Sequence, residues 1–140
     1  MWVIYALLSA IFAAGVAIAG KLGLKNLDST LATTIRSIIM AAFLLLVSIF
    51  LQKFRGFNFH DLSNKDWVLV IVAGIFGALS WLFYFFALKH GPATSVVAID
   101  RLSLVFVFIL ALIFLGESFS LKSLIGVIIM VGGAILLSWK

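Results

Sequence analysis

The chain has 140 residues, of which 65% are hydrophobic and 11% charged, whereas soluble domains average about 45–50% apolar and about 25% charged residues. A water-soluble domain this small could not bury such an apolar excess. The net charge of +5 comes from scattered lysines and arginines, which argues against a nucleic-acid tail, and the absence of cysteine excludes disulfides and thiolate metal sites.

Lipid is the solvent that makes this composition reasonable, so the expectation is an all-α integral membrane protein, one domain over residues 1–140. A spanning helix needs about 20 mostly apolar residues, and five segments qualify. The first runs from about residue 2 to 20. Met1-Trp2-Val3-Ile4-Tyr5 carries no basic region and the apolar stretch is too long for a signal-peptide core, so it reads as a retained helix. The second runs over about 30–51, with Asp28, Ser29 or Thr30 as candidate caps. The link from Gln52 to Lys65 is weakly amphipathic, with Phe54, Phe57 and Phe59 among Lys53, Arg55 and His60. It reads equally as a surface-lying segment or an ordinary loop.

The third helix is expected over about 66–88. Ser63-Asn64-Lys65-Asp66 forms a capping box, and Trp67 suits an interfacial belt. Lys89-His90-Gly91-Pro92 then sets a glycine after one helix and the only proline in the first turn of the next. Helices three and four should therefore form a hairpin. The fourth helix is expected over about 92–115 and the fifth over about 120–139. Glu117 would favour the positive N-terminal end of the fifth.

Five spans put the termini on opposite sides. Loop lysines and arginines ordinarily set orientation. Lys53, Arg55, Lys65 and Lys122 stand on one side, and Lys21, Lys25, Lys89 and Lys140 on the other. So even a balance is compatible with insertion both ways. Two oppositely inserted copies would make a ten-helix unit with the inverted symmetry common in transporters.

Three ionisable residues fall inside expected spans: Arg36, Asp100 and Arg101. Each costs from about 2.5 kcal/mol upward at a bilayer centre, so each should face protein or a water-filled cavity. Arg36 lies roughly 9 Å along helix two and Asp100 roughly 12 Å along helix four, both measured from the same side. Pairing is allowed if those helices are neighbours. Asp100 and Arg101 point about 100° apart and are poor partners for each other. A guanidinium left over in a dry cavity would favour a carboxylate or phosphate. Trp81 and Tyr84, three apart, share a face that could line the cavity or merely pack. Gly126 and Gly133, seven apart, could pack helix five closely within or between subunits. His60 and His90 fall on opposite sides and cannot share a metal within one chain.

Three stretches carry a family resemblance. Tyr84-Phe85-Phe86-Ala87-Leu88-Lys89-His90-Gly91-Pro92-Ala93, Phe114-Leu115-Gly116-Glu117, and the glycine-spaced Ile125-Gly126 to Gly132-Gly133 occur in order. In this the chain resembles an EamA-type domain of the drug/metabolite transporter superfamily. Arg36 matches an arginine often found early in that family's second helix. The usual family form is two inverted five-helix repeats. A single repeat resembles the short bacterial and archaeal branch, where Ile99-Asp100-Arg101-Leu102-Ser103 replaces an apolar, proline-containing stretch. Four-helix relatives couple protons through a glutamate in helix one. Helix one here has no acid, which leaves Asp100 as the deep carboxylate.

The resemblance implies a multi-pass transporter of the cell (inner) membrane, acting on a small molecule by alternating access as an antiparallel homodimer. An anion is one class that Arg36, Asp100, Arg101, Trp81 and Tyr84 could bind. Membrane lipid and a second copy are the expected partners, with no nucleic acid, metal or cofactor. The alternatives are a non-transporting or hetero-partner subunit, or a component that flips a lipid-linked substrate. No nucleophile–base set or metal-ligand cluster suggests an enzyme.

Overall fold

The computed structural model describes residues 1–58 and 62–139. Helices account for its regular structure, with no strand among the described residues. In chain order they are α1 (Trp2–Gly23), α2 (Ser29–Phe50), α3 (Asn64–His90), α4 (Ala93–Asp100), α5 (Ser103–Leu110), a π-helical turn over Ala111–Leu115, and α6 (Leu121–Ser138). Five stretches are long and apolar enough to cross a membrane: α1, α2, α3, Ala93–Leu115 and α6. In hydrocarbon every backbone N–H and C=O must be satisfied internally, which is why such a sequence adopts helices. Within the chain the buried apolar residues are few (Ala17, Leu24, Phe85, Leu88, Ala98, Ala111 and Ala134), so most of the apolar surface faces outward.

The helix ends follow local chemistry. Asp28 caps α2: its Oδ1 accepts from the N–H of Thr30 at 2.8 Å and of Leu31 at 3.1 Å. Those bonds, that of Leu31 first, hold its carboxyl below the usual carboxylate range, with Lys89 adding to the effect. The expected capping box before α3 is present. Ser63 donates its N–H to Asp66 Oδ2 at 3.0 Å, and the Asp66 N–H donates to Ser63 Oγ at 3.2 Å. The far end of α2 is less expected. Lys53 and Gln52 donate their N–H groups to the carbonyls of Ser48 and Ile49, with Gln52 left-handed at φ 53°. This is a Schellman closure with glutamine where glycine is usual. The link beyond it is a run of turns as far as Gly56, and the Phe59 and His60 of the amphipathic reading lie outside the described residues, as does Lys140.

One expectation needs correction. Pro92 is the residue before α4, extended at φ −60° and ψ 137°, and not in its first turn. Glu117 lies three residues before Ser120, the residue that precedes α6. The fourth expected span is present as Ala93–Leu115, with an irregular ladder inside it. At Arg101 and Leu102 the ladder tightens: Leu102, Leu104 and Val105 donate to Ile99, Arg101 and Leu102, each three residues back. The span then ends in the π turn and a left-handed Gly116 at φ 65°.

Contacts divide the chain into two units, Met1–Lys21 with His90–Lys140, and Leu22–Lys89. In the first, α4 packs on α6 through small residues, with Ala98 and Ala134 both buried. Small residues let helix backbones approach in lipid, where apolar burial supplies no drive. Ser95 Oγ donates to the Leu137 carbonyl at 3.1 Å across this pair. Lys21 Nζ donates to the Gly91 carbonyl at 2.9 Å. In the second unit, Lys89 Nζ reaches the Leu27 carbonyl at 3.4 Å, tying the end of α3 to the segment that opens α2.

Candidate functional site

Because the end of α3 is held beside the start of α2, residues equally far into each helix meet. Arg36 is seven residues past Ser29 and Trp81 nine before His90, roughly 10 Å and 13 Å along their axes. The Arg36 guanidinium carbon lies 3.6 Å from the Trp81 ring centroid and 5.5 Å from that of Phe85. Such contacts hold a cation against the electron-rich face of a ring. The rings brace one another. Trp81 and Tyr84 meet edge to face with centroids 5.4 Å apart, and Phe85 lies 6.1 Å from Trp81 and 5.9 Å from Tyr84. Spacings of three and four residues bring all three rings to one side of α3.

Arg36 is half-buried, and its Nη1 is shielded from solvent with no hydrogen-bond partner. Ser29, fully buried at 0% exposure, likewise has an unpaired Oγ. Ser29, Thr33 and Arg36 fall at helical spacing on one stripe of α2, and Thr33 is buried as well. Three other hydroxyls of α2 are satisfied locally. Thr33, Thr34 and Ser37 donate to the carbonyls of Ser29, Thr30 and Thr33 at 2.8–2.9 Å. An open groove of about 500 Å³ lies between Thr30, Thr33, Thr34 and Ser37 of α2 and Ala78 and Leu82 of α3. Arg36 does not line it.

Of the residues singled out from sequence, the structure joins Arg36, Trp81 and Tyr84 in one cluster. Phe85 belongs there too. Its signal was its place four residues after Trp81, and the sequence reading passed over it. Asp100 and Arg101 stand in the other unit, both exposed, at the tightened turn between α4 and α5. At Gly126 and Gly133 an added Cβ would meet nothing within 4 Å. The buried small residue of α6 is Ala134. Among the described residues no group of three potential metal ligands occurs.

The match to a family model described as EamA-like transporter family covers residues 1–139. The chain belongs to the EamA-like transporter family. A Sinorhizobium protein described as an uncharacterized transporter in the cobO 3′ region is 35% identical over 137 residues, covering 98% of this chain and 96% of the relative. No solved structure matches. As an EamA-like protein with five membrane-length helices, the chain is a multi-pass membrane transporter. Arg36, the one cation of α2, is braced by aromatic rings.

Proposed function

We propose that two copies of the chain, inserted in opposite senses in the cell (inner) membrane, form a ten-helix transporter that moves a small solute by alternating access. Arg36, Trp81 and Tyr84 would line the path. The observation that carries this reading is the Arg36–Trp81 contact. A charged residue held about 10 Å inside an apolar span, with a shielded and unpaired donor, is costly unless the molecule uses it.

The irregular fourth span supports the same reading. Helices broken at membrane depth recur at transporter sites, where the local change of ladder frees backbone groups and allows bending. Asp100 and Arg101 stand at that turn. The open faces of Gly126 and Gly133 suit contact with a second copy.

The test is reconstitution of the purified chain alone into proteoliposomes, with orientation read by cysteines placed near each terminus. Both termini labelled from both sides, together with solute uptake, is the expected result. Labelling of each terminus from one side only would overturn dual insertion. Uptake that requires a second, different five-helix chain would favour the hetero-partner reading. Movement of a lipid-linked probe alone would favour the flippase reading.

A further inference from the structure

Building on the transport reading, we infer that the Arg36 cluster binds an oxyanion, so that the transported solute carries a carboxylate or phosphate and is not a cation. The ring cluster by itself would suit a cation, because aromatic faces attract positive charge. In this chain that attraction is already taken up. The Arg36 guanidinium sits 3.6 Å over the Trp81 ring and 5.5 Å from Phe85, and its own charge repels a second cation.

What the cluster has left to offer is a donor. A guanidinium has five N–H groups and no acceptor. Its carbon lies over the Trp81 ring, and Nη1 is shielded without a hydrogen-bond partner. A buried charged donor left unmade is more costly than a neutral one. A planar oxyanion answers that geometry with two parallel bonds. The other unpaired buried side-chain atom in the described chain, Ser29 Oγ, lies on the same stripe of α2. Thr33, Thr34 and Ser37, by contrast, have spent their hydroxyl protons on carbonyls.

The experiment reads Trp81 fluorescence directly. The chain has four tryptophans, so Trp2, Trp67 and Trp139 are replaced by phenylalanine to leave Trp81 as the reporter. The protein, in a lipid-free maltoside detergent, is titrated with glycolate, inorganic phosphate, choline or glucose. A saturable change with glycolate or phosphate and none with choline or glucose is expected. Arg36→Gln should weaken it by about tenfold or more, the scale of one charge-assisted contact. Arg36→Lys, which keeps the charge and lacks the fork, should fall between. The Lys variant also serves if the Gln variant fails to fold, and Arg55→Gln is the unaffected control.

A choline response, or an anion response that persists unchanged in Arg36→Lys and Arg36→Gln, would overturn the inference. So would an Arg36-dependent response seen only with added phosphatidylglycerol, which would make the ligand a lipid headgroup. Binding without uptake in proteoliposomes would remove the transport reading and leave this site standing. Uptake of choline or glucose without anion binding would do the reverse.

Discussion

The Arg36 guanidinium carbon and the Trp81 ring centroid are 3.6 Å apart, linking a cation of α2 to an aromatic face of α3 at matched depth. In a low-dielectric setting a contact of this kind is worth about 2 kcal/mol. Trp81→Leu should therefore lower stability in detergent by about 1–2 kcal/mol, and Trp81→Phe by less, because a smaller aromatic face remains. Chemical denaturation followed by far-UV circular dichroism in mixed micelles checks the order. Equal losses for both variants would show that ring volume matters and the cation does not.

Leu88 is the largest side chain at 0% exposure. In lipid the transfer of apolar groups between helix interface and solvent contributes little. Leu88→Ala should then cost mainly the cavity and lost dispersion contacts, about 2 kcal/mol, the lower end of the range known for soluble cores. Phe50→Ala, at 86% exposure, should be nearly neutral in the same denaturation assay.

Gln52 closes α2 in a left-handed conformation at φ 53°, a geometry that costs a side-chain-bearing residue roughly 1–2 kcal/mol. Gln52→Gly should raise stability by up to about 1 kcal/mol, offset slightly by losing the Arg55 Nη1 bond to Gln52 Oε1 at 2.9 Å. Thermal unfolding in detergent measures the change. A drop in midpoint would show that the Gln52 side chain, and not its backbone, secures the turn.

The Asp28 carboxyl is held below its usual range, first by the Leu31 N–H and then by Thr30 and Lys89. A depressed carboxylate contributes stability above its unfolded value of about 3.9 and loses it as pH falls through the lower folded value. Asp28→Asn keeps a capping oxygen without the charge. The gap in unfolding midpoint between wild type and Asp28→Asn should hold from neutral pH to about pH 5 and close as the solution is acidified below the folded value. A gap independent of pH would contradict the charge's role.

The five spans were legible because hydrocarbon leaves no alternative to long apolar helices, and the Asp28 cap and the Ser63–Asp66 box because capping is local chemistry. Arg36, Trp81 and Tyr84 were legible as unusual residues, one by its charge and two by their spacing. That Arg36 would lie on Trp81 was not, since it depends on how far α3 is drawn along α2. The turn at Arg101–Leu102 left no signature, because neither glycine nor proline marks it. The buried small residue on this part of α6 is Ala134, next to Gly133. Glycine spacing shows that a close approach is possible and does not say to what.

Uptake of radiolabelled inorganic phosphate and glycolate by proteoliposomes holding only this chain bears most directly on Arg36 as the centre of a transport path. Wild-type protein should accumulate at least one of these anions above empty vesicles, and Arg36→Gln should reduce the rate by about tenfold or more while remaining folded, as one lost charge-assisted contact implies. Equal uptake by wild type and a folded Arg36→Gln protein would contradict that role.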